Sequence, residues 1–498
     1  MRALNARDVR FDGVFFVAIT STGIYCRPVC PTRVARAENR RFFDSAASAE
    51  RAGYRPCLRC RPELAPGLAV MDAVPRLARV AAHRIGSGAL NGRAVAELAR
   101  ELGVSERHLR RALEREFGVS PVELAQTHRL LLAKRLLADT SLSVTHIAFA
   151  SGFQSLRRFN SVFRERYRLS PSAVRRMPRT RAAAPANDLV KLTLAYRPPL
   201  AWNELIWLLS SAALPGVEVV EGRRYGRTVQ VDGHRGTVFA TDAAPKPHVT
   251  VEVSPSLVPV LMPLLARLRQ LFDLDAEPTV IDAHLAEGGL GALVARRPGV
   301  RIPGTLDGFE AVLRVLLGGS SRTRVNELAR RVVDVFGEEL DTGCGALVRL
   351  TPSAARIAEA GAPRLAALGA PLRRAEVIVS VARAIALGTL CLELGSDLTS
   401  TNRALTDLVG ARMASAIVMR ALYWPDAFPF ADRSLRRTLG FSSAQALRAC
   451  AEQWRPWRAY AAAHLWLHAN SARPARNDDS GKLSRLGRAI GGAGLDGA

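Results

Sequence analysis

The pattern of apolar and polar positions changes character several times along the chain, and each change marks a different kind of structure. Residues 1 to about 75 hold only short apolar runs, such as Val14 to Ile19, among many Arg. So small a core would not fold unaided, and a metal would compensate. From about 84 to 176 apolar residues recur at helical spacing with short Gly-marked turns. The Arg-rich, Ala/Pro-rich stretch Met177 to Asn187 reads as a linker. Period-2 or β-branched runs then predict strands over Leu189 to Tyr196, Thr228 to Val231, Thr237 to Ala240 and Val249 to Val253, with an apolar helix over Leu257 to Phe272. Helical periodicity returns from Gly308 to about 468, broken by Gly and Pro. The tail from Ser471 to Ala498, rich in Gly, Ser, Asp and Arg, is expected to be disordered.

At 498 residues the chain exceeds one ordinary core, so several functions can coexist. No apolar run reaches the roughly 20 residues of a membrane span and the start lacks a signal-peptide pattern, so a cytoplasmic, nucleoid-associated protein without membrane contact is expected. Charge sharpens this. The formal net charge is +25, and residues 1 to 180 carry 32 Lys+Arg against 15 Asp+Glu, so the basic footprint lies in the first third. A polyanion is the expected partner, because each neutralised phosphate releases counterions and Arg binds phosphate bidentately; a merely solvated basic surface is the alternative.

Seven cysteines in a cytosolic chain are poor disulfide candidates. Cys26-x3-Cys30 and, 26 residues on, Cys57-x2-Cys60 supply four thiolates in two close pairs, the arrangement a tetrahedral Zn2+ takes, so one zinc per chain is expected. Spacing alone leaves a purely structural knuckle open. Cys344, Cys391 and Cys450 stand apart and read as inert thiols. The runs Thr22-Gly23-Ile24-Tyr25-Cys26-Arg27-Pro28-Val29-Cys30-Pro31 and Arg55-Pro56-Cys57-Leu58-Arg59-Cys60-Arg61-Pro62 closely resemble the N-terminal domain of the Ada methylation-response family, over about residues 5 to 70. That resemblance implies that Cys26 takes a methyl group from a methylphosphotriester in DNA, with Cys30, Cys57 and Cys60 as the other zinc ligands. Methylation turns one thiolate into a neutral thioether and lessens repulsion from phosphates; by resemblance this is the switch, with Arg27, Arg33, Arg36, Arg40 and Arg41 as candidate phosphate contacts.

Val95 to Phe117 reads as helix, turn and helix, with Ala99, Gly103 and Leu109 at the crossing, the turn and the anchor, and Ser105 as N-cap. Arg107, His108, Arg110 and Arg111 would line the outer face of the second helix, where base edges and phosphates are met. About fifty residues on, Ile147-Ala148-x3-Gly152-Phe153, Phe159, Phe163 and Ser170-Pro171 resemble the AraC family signature. Two copies joined by a helix over His128 to Leu137 imply two recognition helices in successive major grooves, the second carrying Arg157 and Arg158. An ordinary helical hairpin is the reading that one copy alone would leave open.

From 189 to 468 the chain resembles the 3-methyladenine DNA glycosylase II (AlkA) family of the helix-hairpin-helix superfamily, in Tyr196-Arg197-Pro198-Pro199-Leu200-Ala201-Trp202, Ala295 to Gly304, Pro371 to Ala375 and Trp454 to Tyr460. Asp426-Ala427-Phe428-Pro429-Phe430-Ala431-Asp432 matches the stretch that ends in the family's catalytic aspartate, which implies that Asp432 stabilises an oxocarbenium-like sugar as the alkylated base departs. By resemblance Trp466 stacks on the flipped base, and Trp202 is assigned to the same pocket. Read without the resemblance, Asp432 is a helix cap and Trp466 a core residue. The chain departs from the family at the hairpin, where Thr406-Asp407-Leu408-Val409-Gly410-Ala411-Arg412 keeps one glycine and loses the Trp, and Ala416 replaces an aromatic; Gly318-Gly319-Ser320-Ser321 stands where the family has its wedge.

These readings give a multidomain α+β chain: a small zinc-binding domain (1–75), an all-α AraC-type double helix-turn-helix (84–176), a linker (177–188), an α+β AlkA N-terminal domain (189–300), an all-α helix-hairpin-helix glycosylase domain (301–470) and a tail (471–498). The implied function is that of a methylphosphotriester-sensing transcriptional activator that also excises alkylated purines. Its partners would be alkylated DNA, promoter DNA and RNA polymerase. A pure regulator with a non-catalytic glycosylase-like half is the alternative. O6-methylguanine repair is disfavoured, since no remaining Cys sits in Pro-Cys-His-Arg.

Overall fold

A computed structural model describes residues 2–67, 76–176, 189–318, 322–393, 396–430 and 432–471. The expected linker, the expected disordered tail and residues 319–321 of the wedge run lie outside the described residues. Contacts divide the chain into two compact units, one of Met1–Arg197, Arg224–Arg269 and Leu274–Ala276, the other of Pro198–Arg223, Gln270–Asp273 and the chain from Glu277 on.

The first unit begins with a small sheet in the order Arg40–Phe43, Phe16–Ile19, Ile24–Cys26, Arg55–Pro56. Its first three strands are antiparallel, and the two-residue fourth strand runs parallel to Ile24–Cys26. One face packs Phe16 edge-on against Tyr25, ring centroids 5.7 Å apart, over Ala49 and Tyr54. That is a handful of side chains, in keeping with a module that relies on a metal.

Among the described residues seven helices follow, from Arg76–Gly86 to Pro171–Arg176. Val95–Glu101 and Glu106–Phe117 make the first helix-turn-helix, Val144–Ala150 and Leu156–Tyr167 the second. The two copies share their local chemistry: Ser105 accepts from the His108 amide and Ser155 from the Arg158 amide, each capping a recognition helix. Gly103 (φ +68°) and Gly152 (φ +84°) turn the chain before them, and at Gly152 a Cβ would also strike Asn91 at 2.4 Å. Leu109, Leu113 and Phe117 bury the inner face of the first recognition helix, and Phe159, Phe163 and Tyr167 that of the second.

The connecting helix spans Pro121–Asp139, well beyond the expected His128 to Leu137. Ser120 and Glu123 close a capping box at its start, with Pro121 in the first turn. The apolar periodicity understates this helix because it is buried nearly all round, including Thr127, Lys134 and Arg135, rather than along one stripe.

The same unit holds four antiparallel strands, in the spatial order Val190–Ala195, His248–Val253, His234–Asp242, Arg224–Val231. Three are longer than their apolar runs. Arg224–Val231 and His234–Asp242 meet in a hairpin whose turn residues Asp232 (φ 46°) and Gly233 (φ 81°) are both left-handed, the Asp-Gly signature of a tight hairpin. The single helix expected over Leu257 to Phe272 is instead a 3-10 turn, Pro255–Val260, followed by an α-helix over Leu261–Leu271. Pro259 has no amide to donate, so the α ladder begins after it.

The second unit is largely helical; its strand Glu218–Glu221 falls outside the strands predicted above. A core centred on Val312, Val332, Ile357, Ile378, Leu405 and Ile417 joins its helices. Within it Arg314 is buried between Glu310 (Nε to Oε1, 3.0 Å) and Glu218, a fully enclosed charge cluster. Among the described residues no helix is long and apolar enough to cross a membrane.

Candidate functional site

The sulfurs of Cys26, Cys30, Cys57 and Cys60 lie within 4.8 Å of one another. A tetrahedral zinc with Zn–S of about 2.3 Å needs sulfurs about 3.8 Å apart, so the donor set fits one Zn2+. Local backbone brings the pairs together: the Cys57 amide donates to Tyr25 O at 2.9 Å, and the Arg27 amide points at Cys60 Sγ at 3.4 Å. Cys30, Cys57 and Cys60 are buried; Cys26 is half-exposed. A shallow cleft beside Cys26 and Cys30 is lined by Arg27, Arg33 and Arg40.

The Arg side chains there divide into two groups. Arg27, expected as a phosphate contact, is instead part of the scaffold. Its side chain is 13 % exposed, its Nε donates to Asp12 Oδ1 at 2.8 Å and its Nη1 to Cys60 O at 3.1 Å. With these partners its guanidinium props the second cysteine loop rather than facing outward. Arg40 is half-buried and donates to Ala35 O. Arg33, Arg36 and Arg41 are exposed.

On the paired helix-turn-helix units, Arg107, Arg110 and Arg111 are exposed on the first recognition helix, and Arg157 and Arg158 on the second. Arg110 is held by Glu106 one turn earlier, Nη2 to Oε1 3.0 Å, an exposed pair whose net worth is small.

In the second unit Asp432 caps the Arg433–Leu439 helix. Its Oδ1 accepts from the Ser434 amide (2.7 Å), the Ser434 hydroxyl (2.6 Å) and the Leu435 amide (3.3 Å), while Oδ2 accepts from Trp466 Nε1 at 3.0 Å. Both residues are half-buried. The helix cap and the candidate carboxylate are therefore one group: donors fix its orientation without enclosing it. Trp466 meets Asp432 through its ring edge, on the helix Arg458–Ser471.

Asp426, six residues earlier, has a different environment. Arg458 grips it at 2.7 and 3.0 Å, Arg455 adds a contact at 3.0 Å, and Arg458 also lies over the Phe430 ring at 5.6 Å. This ion pair ties the loop that ends at Asp432 to the start of the helix that carries Trp466. The sequence reading did not contain it, and the signal available was the paired Arg455 and Arg458 downstream.

Trp202 corrects the expectation placed on it. It is 2 % exposed, its indole N–H donates to Arg223 O at 2.9 Å, and it packs on Phe272 with centroids 5.5 Å apart. Both faces and the polar edge are occupied within the core, so it offers no surface to a base.

The hairpin forms with one residue between the helices Leu398–Val409 and Ala411–Ala421. Gly410 sits at φ 78°, ψ 152°, and its carbonyl accepts from the Met413 and Ala414 amides. A Cβ there would meet nothing within 4 Å, so the requirement for glycine is conformational alone. Gly410→Ala is therefore expected to cost about 1–3 kcal/mol through backbone strain, read as a lowered thermal midpoint. Arg412 is exposed and Ala416 half-buried, so neither offers an aromatic face.

Known protein families match successive stretches of the chain. Residues 1–63 match the metal binding domain of Ada, 98–177 a helix-turn-helix domain and 191–307 the AlkA N-terminal domain. A probable bifunctional transcriptional activator/DNA repair enzyme AlkA of Mycobacterium tuberculosis is 36 % identical over 475 residues, covering 93 % of this chain and 95 % of its own length. DNA-3-methyladenine glycosylase 2 of Escherichia coli is 34 % identical over 278 residues, 55 % of this chain and 96 % of that protein. The bifunctional transcriptional activator/DNA repair enzyme Ada of Escherichia coli is 34 % identical over 149 residues, 30 % of this chain and 40 % of that protein. With a zinc-fitting four-cysteine module, paired helix-turn-helix units and a glycosylase-like half in one polypeptide, this chain belongs to the family of AlkA-type bifunctional transcriptional activator/DNA repair enzymes.

Proposed function

We propose that the chain records methylphosphotriester damage at Cys26, activates transcription through its paired helix-turn-helix units, and excises alkylated purines with Asp432. The observation that carries this reading is that both reactive groups are presented: Cys26 is the one zinc-site thiol that is not buried, and Asp432 is an oriented, half-exposed carboxylate beside an aromatic ring. In the sensing step the Cys26 sulfur attacks the methyl carbon. The methyl C–O bond breaks, a thioether forms, and the phosphotriester leaves as a phosphodiester anion. Zinc, when bound, keeps the thiols deprotonated at neutral pH. Cys30, Cys57 and Cys60 hold the site, Arg27 braces it, and Arg33, Arg36 and Arg41 face the backbone being repaired.

In the excision step the C1′–N bond breaks with its electron pair on the departing base, and water adds at C1′ and gives up a proton to solvent. The Asp432 oxygens already accept hydrogen bonds from fixed donors, so the carboxylate serves as a placed negative charge for the oxocarbenium-like sugar rather than as a nucleophile. Trp466 orients that charge by its edge and offers its ring to the flipped base. Gly410 supplies the hairpin at the DNA backbone, and Arg107, Arg110, Arg111, Arg157 and Arg158 read promoter DNA. As an activator the protein would meet RNA polymerase, in the cytoplasm and on the nucleoid.

A second reading, a regulator whose glycosylase half only binds DNA, draws on the missing aromatic at Arg412 and Ala416. Release of 3-methyladenine from methylated duplex by the purified chain separates the two: release supports excision, and DNA binding without release supports the regulator. The sensor half has its own check. One zinc per chain is expected, and chelation should unfold the zinc module, seen as loss of hydrogen-exchange protection in the strands Phe16–Ile19 and Ile24–Cys26.

A further inference from the structure

The short helix Ala46–Arg51 of the zinc module, with its cap Ser45, reaches both recognition helices and the connecting helix between them. At its start the Ser45 hydroxyl donates to Phe117 O at 3.3 Å, and Arg51 donates to Gly118 O, both at the end of the first recognition helix. Glu50, 1 % exposed, lies at the centre of the remaining contacts. Its carboxylate accepts from Tyr25 Oη (3.0 Å) and from Thr127 Oγ1 on the connecting helix (3.0 Å). Arg166, in the last turn of the second recognition helix, lies 3.9 Å from that carboxylate and donates to the Glu50 backbone carbonyl.

The other end of this arrangement is the methyl acceptor. Tyr25 is fully buried, immediately precedes Cys26 on the strand Ile24–Cys26, and its carbonyl accepts from the Cys57 amide, so it touches both halves of the cysteine site. A second set of contacts ties the Cys57 loop to the connecting helix. Lys134, itself buried, donates to Cys57 O at 3.2 Å and pairs with Glu63, and Arg61 holds Asp139 bidentately at 2.7 and 2.8 Å. Buried, hydrogen-bonded groups of this kind cannot shift singly without leaving a desolvated donor or acceptor, so displacement at one end is felt at the other.

We propose that the Ala46–Arg51 helix, through Glu50, couples the state of Cys26 to both recognition helices, so that methylation changes their geometry as well as the charge of the zinc site. This rests on the methyl-acceptor reading of Cys26. Converting Cys26 to a thioether weakens its hold in the sulfur cluster and shifts its strand; Tyr25 passes that shift to Glu50, and Thr127 and Arg166 receive it. A charge change alone would act on DNA phosphates and leave the recognition helices as they were.

Hydrogen exchange by mass spectrometry on the zinc-loaded full chain tests this without DNA. Three forms are compared: the native chain, the chain methylated by a methylphosphotriester duplex with one added methyl confirmed by mass, and Cys26→Met, which places a thioether there whether or not the transfer occurs. Amides in Glu106–Phe117 and Leu156–Tyr167 should change exchange rate by about 5-fold or more between the native and thioether forms, the lower end of ordinary site-to-site coupling. The difference should collapse in Thr127→Val and in Arg166→Met, two independent variants, so that misfolding of one leaves the other to decide. Recognition helices that exchange identically in the native and Cys26→Met chains overturn the coupling; so does a difference that survives both variants. Failure of the duplex to methylate Cys26 would count instead against the sensing reading, with the Cys26→Met comparison still deciding the coupling.

Discussion

Replacing Asp432 with Asn should lower release of 3-methyladenine from methylated duplex by roughly 10^2- to 10^3-fold, the usual consequence of removing one preorganised electrostatic contact to a charged transition state. Asn keeps the shape and an oxygen for the Ser434 and Leu435 amides, so the helix cap survives in large part. What disappears is the negative charge, and the amide nitrogen would face the Trp466 N–H, donor to donor. The neighbouring carboxylate is the control. Asp426→Asn leaves Arg458 and Arg455 with a neutral partner in a buried site, and losing one side of such a pair costs about 3–5 kcal/mol of stability. Asp432→Asn should therefore change rate with little change in thermal midpoint, and Asp426→Asn the midpoint before the rate. Trp466→Phe keeps an aromatic face but loses the donor, and should fall between native and Asp432→Asn. Full release by Asp432→Asn would remove Asp432 from the chemistry.

How far the site could be read in advance follows from where its determinants lie. The cysteine spacing, the repeated Ser-capped helices with Gly103 and Gly152, and Asp432 all rest on local sequence, and the structure brings the four thiols together and sets Asp432 against Trp466. Groups whose meaning depends on distant partners were not legible. Arg27 sits beside a predicted nucleophile in a basic stretch, and only the fold shows Asp12 and Cys60 O holding it. Trp202 lies in a family-like run, yet its surroundings are Phe272 and Arg223 O. Glu50, Thr127 and Lys134 are polar residues that any pattern assigns to a solvated face. They are buried because the zinc module packs against the connecting helix, whose burial nearly all round also blurs its periodicity.

Cys26→Ser is expected to abolish methyl uptake and at the same time to imitate part of its consequence. Four thiolates around Zn2+ carry two net negative charges; methylation at Cys26 leaves one, and so does a neutral serine there. The variant should thus accept no methyl group, while its binding to an undamaged DNA duplex should show a salt dependence about one phosphate steeper than that of the native chain. The basic surface over which this charge acts includes the exposed Arg33, Arg36 and Arg41, and its reach falls off over a screening length of about 10 Å at ordinary ionic strength. Position matters as much as charge. Cys30→Ser, Cys57→Ser and Cys60→Ser remove the same charge but from buried ligands that also form the core of the module, so these variants should lose zinc and unfold it rather than bind DNA better. Zinc content, methyl uptake and salt slope, measured on all four variants, separate acceptor from scaffold. Methyl uptake that persists in Cys26→Ser but vanishes in one of the buried variants with zinc retained would move the acceptor to that cysteine. A salt slope unchanged in a zinc-loaded Cys26→Ser chain would mean that the lost charge is not what changes DNA binding, leaving the Tyr25–Glu50 contacts as the route by which methylation reaches the recognition helices.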